Sequence, residues 1–220
     1  MSVLATSTST IETLADLLER LGDVPLERIR FRPYPGTATE QDVLARPDGV
    51  KRLCELVDGV LVEKAMGFYE SRVAIVLIGF LQEFLRRRDL GIVLGADGMM
   101  RLAPGLVRIP DVSFISWSRF PDRQLPAEPI PDLAPDLAVE ILSVSNTQAE
   151  MARKLRDYFA AGVRLVWYVE PEDHTVRVYT APDQSRLLTV DDTLDGGAVL
   201  PGFTLAIRQW FEEAGQRRGR

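Results

Sequence analysis

Extended and helical signals succeed one another along this chain in an order that few architectures accept. RLCELVDGVLVEK reads as two extended runs joined by Asp58-Gly59, a dipeptide that favours the positive φ angles of a tight hairpin. A long helical pattern follows from about Tyr69 to Arg88, with Val73, Val76, Leu77, Phe80, Leu81 and Phe84 as its apolar stripe. Arg86, Arg87 and Arg88 fall in its last turn, where positive charge suits the helix dipole and reads as a solvated end. Three or four short strands lie between Gly91 and Trp117, including RIPDVSFIS. A proline-rich connector leads to PDLAVEIL, a strand with an apolar frame. Thr147 and Glu150 then have capping-box spacing and start a helix that ends near Gly162. RLVWYVE and TVRVYT, joined by a turn at PEDH, are two further strands, and a helix around Trp210 closes the pattern. Hairpin, helix, strands, helix, strands predicts an α/β chain with a mixed β-sheet flanked by helices, rather than an all-β barrel or a bundle.

Ahead of this core the Ser/Thr-rich residues 1–9 read as frayed. Ile11, Leu14, Leu17, Leu18 and Leu21 have helical spacing that ends at Gly22. A connector with Pro25, Pro33 and Pro35 leads to a short helix from about Thr39 to Ala45. The expected division is a helical extension over 1–48, a main domain over 49–212 and a basic, disordered tail over 213–220. The first helix's stripe is too long to leave in water, so it should pack on the domain or on a second copy, which puts a homodimer among the expected partners.

At 220 residues the chain can bury a full core, and its composition, 46% hydrophobic and 26% charged, is globular. The net charge of −6 gives no global positive field, so contact with nucleic acid has to come from a local patch. A single cysteine, Cys54, excludes a disulfide framework and a Cys-rich zinc site, and reads as a small buried residue. Met1 to Thr10 lack the features of a signal peptide. The longest apolar run, Val73 to Leu81, has nine residues, far short of the roughly 20 of a membrane span. A cytoplasmic protein is expected.

Glu140 is the anomaly in the strand pattern, because every neighbour in Leu137-Ala138-Val139-Glu140-Ile141-Leu142 is apolar. A lone carboxylate there needs a cation, a hydrogen-bond network or an open cleft. Asp111, just after Pro110, opens another strand. Two carboxylates on neighbouring strands can present hard oxygens to one Mg²⁺ (or Mn²⁺), which takes one or two carboxylates plus waters and phosphate oxygens. Asp136 competes for the same role, but four extended residues put it about 13 Å from Glu140. Lys154, on the capped helix, reads as flanking the face made by Met151, Leu155, Tyr158 and Phe159, from where it could reach the carboxylates. The chain has only three lysines, Lys51, Lys64 and Lys154, among 26 basic residues. Where bare positive charge is wanted it uses arginine, so a lysine in this place is a hint of chemistry. Glu55 interrupts Leu53-Cys54-Glu55-Leu56-Val57 as a second carboxylate in an apolar setting. His174, the only histidine, sits in a turn with no triad partner, Ser143 and Ser145 lack a base, and no glycine-rich phosphate loop is present.

Taken together, CELVDGVLVE, IPDVSFIS, PDLAVEILSVSN, KLRDYFAAGVRLVWYVEPE and LPGFTL resemble the Uma-two family, long catalogued as a domain of unknown function within the PD-(D/E)XK nuclease superfamily. These pieces cover about residues 50–206 in the right order. The resemblance implies a restriction-endonuclease-like core and a metal-dependent phosphodiesterase site, carried over to Glu55, Asp111, Glu140 and Lys154, with Asp111 and Glu140 on the metal. It also implies nucleic acid, DNA first, as substrate and products that carry a 5′-phosphate. In the parent motif a lysine stands two residues after the glutamate; here that place is Leu142, and Lys154 would substitute from the helix. Phe68-Tyr69-Glu70-Ser71 stands where members often have a histidine, and Val144 where the usual residue is proline. The competing expectation is a non-catalytic scaffold or partner-binding module that kept the fold, for which the acidic charge speaks.

Overall fold

The computed structural model describes residues 11–45, 53–65 and 67–215. The expectations for residues 1–9 and for the last five residues of the basic tail lie outside that range. Two sheets organise the core. The first strand pair is the hairpin expected at Asp58-Gly59, β1 (Cys54–Val57) and β2 (Val60–Glu63), with φ of 52° and 75° at the two turn residues. After helix α1 (Leu14–Leu21), helix α2 (Glu40–Ala45) and the hairpin, the chain forms α3 (Phe68–Arg86) and strands β3 (Gly91–Leu94), β4 (Met100–Ala103), β5 (Leu106–Arg108) and β6 (Val112–Ser116). Then come β7 (Leu137–Ile141), α4 (Gln148–Ala160), β8 (Leu165–Glu170), β9 (Thr175–Ala181), β10 (Gln184–Leu188), β11 (Thr193–Asp195), β12 (Thr204–Ala206) and α5 (Ile207–Ala214).

The main sheet has the order β10-β9-β8-β7-β6-β3. Its β7–β8 pair is parallel, joined by α4 as crossover, and its other pairs are antiparallel, so the mixed sheet flanked by helices is what the chain forms. A second sheet has the order β2-β1-β5-β4, and β11 pairs with β12 in a small third one. Strand β7 is buried along its whole length, and its two faces differ. Leu137, Val139 and Ile141 pack with Val73, Leu77 and Leu81 of α3, together with Trp167 and Trp210. Ala138 packs on the other face with Met151, Leu155 and Tyr158 of α4. Since side chains alternate along a strand, Glu140 shares the α4 face. Its apolar neighbours in sequence are its neighbours across the sheet only in part.

The N-terminal stripe packs on the domain itself: Leu17, Leu21 and Val24 bury against Val57, Val60 and Val62 of the hairpin. Gly22, at φ 85°, ends α1 and lies so close to the first turn of α4 that an added Cβ would come within 2.5 Å of Glu150 N. Arg88 is more than a solvated helix end, for its guanidinium donates to Pro201 O at 2.8 Å and lies 5.0 Å from the Phe84 ring centre. Among the described residues no helix is long and apolar enough to cross a membrane.

Candidate functional site

Six charged side chains converge between β1, β5, β6, β7 and α4. Glu55, Asp111 and Glu140 are the anions, and Lys64, Arg108 and Lys154 the cations, all buried. Three charges of each sign balance formally, which is what lets them leave water together. Asp111, directly before β6, is tied to the strand that carries Glu140. Its N–H donates to Val139 O at 3.0 Å, and its Oδ2 accepts from Ile141 N at 2.6 Å. The two carboxylates predicted to act together therefore sit on adjacent strands, with Asp111 bonded to the residues on either side of Glu140.

Lys154 lies at the centre of the buried stripe of α4, not on its flank. Met151, Lys154, Leu155 and Tyr158 follow the i, i+3, i+4, i+7 rhythm, and Lys154 is only 2% exposed. Its Nζ donates to Glu55 Oε1 at 3.2 Å and to Glu140 Oε1 and Oε2 at 3.2 and 3.3 Å. Tyr158, one turn on, donates its hydroxyl to Glu140 Oε1. Glu55 is held further by Arg108 Nη1 at 2.7 Å and Ile109 N at 3.1 Å, and Arg108 also pairs with Asp157 of α4.

The two glutamates respond in opposite senses. Burial pushes the Glu55 carboxyl up, but Lys154, then Arg108 and Lys64, outweigh it and hold that group well below the usual range. Burial also pushes Glu140 up; Lys154 and Lys64 oppose it, the neighbouring Asp111 and Glu55 add to it, and the net shift is upward. Burial disfavours the charged Lys154, yet Glu140 and Glu55 more than reverse this and keep it protonated. Burial and the same two carboxylates raise the Tyr158 hydroxyl well above its ordinary value, so it stays a donor.

Lys64, Arg108 and Tyr158 were not foreseen. Lys64 Nζ lies 2.8 Å from Asp111 Oδ1 and donates to Ile109 O. The scarcity of lysine that pointed to Lys154 pointed equally to Lys64. Arg108 carried the same signal as Glu140, a charge inside an apolar strand, and Tyr158 carried none that separates it from core. Asp136 is engaged elsewhere, with Ser116 N at 2.7 Å and with Arg119 and Arg164. The Thr147 hydroxyl caps α4 by accepting from Glu150 N at 3.0 Å, but the expected reciprocal bond is replaced. Glu150 instead forms a buried two-point pair with Arg28 at 2.7 and 2.9 Å, which ties the N-terminal segment to α4.

For a divalent cation the cluster offers an incomplete set. Among the described residues no three His, Cys, Asp or Glu side chains form a metal-binding group. Asp111 Oδ1 is a buried carboxylate oxygen whose partner is the Lys64 ammonium, in an ion pair at 2.8 Å. Two adjacent carboxylates fit an ion that takes the place of the Lys64 and Lys154 ammonium contacts and completes its shell with water and phosphate oxygens. A cavity of about 700 Å³ opens elsewhere, between the start of α4 and β8–β10, where Ser143, Asn146, Tyr168 and Arg177 line it.

The sequence profile of the Uma2 family, described as "Putative restriction endonuclease", matches residues 41–208. The fold is similar to a crystal structure from Anabaena variabilis ATCC 29413 titled "a putative nuclease belonging to DUF820", at 18% identity and a TM-score of 0.68. That match covers 79% of this chain and 97% of the other. A search of curated proteins found no match. With most of its length matched by the family profile, the chain belongs to the Uma2 family.

Proposed function

We propose that this protein is a metal-dependent endonuclease that hydrolyses phosphodiester bonds in nucleic acid, DNA in the first instance. The observation that carries the reading is the meeting of Asp111, Glu140 and Lys154 in one buried cluster. Asp111 and Glu140 would hold Mg²⁺ or Mn²⁺, which when bound supplies Lewis-acid polarisation of the phosphate and a more acidic water. Lys154 holds the Glu140 carboxylate from the α4 side and places a positive charge where negative charge develops on the phosphate. Tyr158 fixes the Glu140 rotamer. Glu55 accepts from Lys154 and Ile109 N and from Arg108, and its role is to position Lys154.

The test is cleavage of single-stranded and supercoiled DNA with Mg²⁺ or Mn²⁺ by the wild type, Asp111→Asn and Glu140→Gln, alongside calorimetric metal titration. Each substitution should lower the rate by about 10²–10³ and weaken metal binding. Wild-type rates in Glu140→Gln would remove the carboxylate from the mechanism. The self-compensation of the cluster is the observation that favours a non-catalytic scaffold. A wild type that cuts nothing with either metal decides for that reading.

A further inference from the structure

We infer that the segment Arg30–Tyr34 is a stacking platform for an unpaired strand of nucleic acid, presented beside the Glu140 cluster; the inference rests on the nuclease reading above. In a chain of net charge −6, residues 28–39 hold three arginines and no acid. Arginine alternates here with apolar residues, Ile29, Phe31 and Pro33, in the run Arg28-Ile29-Arg30-Phe31-Arg32-Pro33-Tyr34. Phe31 and Tyr34 are 62% and 71% exposed, and their rings meet edge to face with centres 6.4 Å apart. Two aromatic rings left in water on a segment outside the matched family region need an occupant.

The segment is held at both ends while its middle is free. Arg28 is locked to Glu150, Glu63 O and Ser145 O. Arg30 donates its N–H to Leu61 O and pairs with Glu63 at 2.8 Å. Gly36 and Ala38 donate to Gly59 O. Arg32 is exposed and forms no ion pair among the described residues. A fixed backbone that displays Phe31, Arg32 and Tyr34 outward offers two faces for bases and a cation for phosphate. A duplex keeps its base faces stacked inside and cannot use such a surface.

The placement also suits the cluster. Ile29 lies opposite Val62, and Val62 opposite Glu55, so the segment runs two strand spacings, about 10 Å, from Glu55. Phe31 is two residues further along, roughly 7 Å. The combined span of about 12 Å equals the rise of some four stacked nucleotides.

The experiment is fluorescence anisotropy with a labelled oligodeoxythymidylate and a duplex of equal length, on wild type, Phe31→Ala/Tyr34→Ala and Arg32→Ala, with melting curves confirming folding. The double variant should lose about tenfold or more in affinity for the single strand and nothing for the duplex. Arg32→Ala should lower the salt dependence by about one phosphate contact. Unchanged single-strand affinity in the double variant overturns the platform. So does a wild-type dimer that becomes monomeric in that variant while its oligonucleotide affinity stays the same, because the surface then belongs to a second copy. Cleavage is read separately: a wild type that binds through Phe31 and Tyr34 yet cuts nothing keeps the platform and sinks the nuclease reading.

Discussion

Strand β7 has a buried carboxylate at each end, Asp136 just before its first residue and Glu140 near its last, and the two are neutralised by different means. Asp136 accepts from Ser116 N and is paired with Arg119 and Arg164, whose side chains are 28% and 50% exposed. Burial pushes its carboxyl up, but the bonds from Ser116 and the Arg119 charge prevail and hold it low. Glu140 meets a lysine and a tyrosine that are as buried as it is, has Asp111 and Glu55 for neighbours, and is held high. Arginines that snorkel to water can neutralise a carboxylate without being desolvated themselves. A buried lysine shared by two glutamates cannot, and its charge is available only because the carboxylates keep it. The Asp136 end is a brace between β6 and β8, while at the Glu140 end every partner is buried with the carboxylate it neutralises.

The largest expected effect comes from breaking the shared lysine. Lys154→Ala leaves Glu55 and Glu140 buried with one cation fewer, and should cost about 3–5 kcal/mol in urea unfolding. Arg164→Ala at the other end removes a half-exposed partner and should cost about 1 kcal/mol or less. Equal losses from the two would erase the distinction. This differs from what the sequence suggested, because a lysine that flanks a helix face could be removed without harm to the fold, whereas this one is part of the core.

That difference shows where sequence reasoning stopped. The Asp58-Gly59 hairpin, the α3 stripe and the Thr147 cap are local signals, written in a few adjacent residues, and each was legible. Glu140 was legible because an acid within an apolar strand is costly wherever the strand goes. The pairing of β1 with β5 joins segments about fifty residues apart and has no local signature, so the β2-β1-β5-β4 sheet and the Arg108–Glu55 pair could not be read. Lys154 fell between these cases. Its spacing with Met151 and Tyr158 marked a buried position, but periodicity arguments treat buried as apolar, and the lysine was assigned to the edge for that reason.

A middle-sized effect should follow from Tyr158→Phe. The substitution removes one hydroxyl from Glu140 Oε1 and leaves the ring's packing intact. A hydrogen bond to a charged group is worth about 1.5–3 kcal/mol, so urea unfolding should register a loss of that order. The loss should shrink in the Tyr158→Phe/Glu140→Gln double variant, since the hydroxyl's partner is then no longer an acid. Strict additivity in that cycle would show that the two side chains do not communicate.

The smallest effect, and the one that tests the comparison most directly, is the dependence of stability on pH. The Asp136 carboxyl is lowered from its ordinary 3.8 in the folded chain, so its stabilising share is present above that value and is lost as pH falls through the folded value. Asp136→Asn should therefore be less stable than wild type at neutral pH, with the gap closing in acid. Glu140 is raised from its ordinary 4.5, so the folded state binds its proton more tightly than the unfolded chain does. Its contribution is fully present below 4.5 and is lost as pH rises through the folded value. Glu140→Gln, which cannot ionise, should then gain on wild type as pH rises from 4.5, the reverse of the trend at Asp136. Both curves come from urea unfolding at a series of pH values, with no metal added. Parallel curves for the two variants would mean that the ends of β7 are braced alike, and that Lys154 and Tyr158 serve only to close the core.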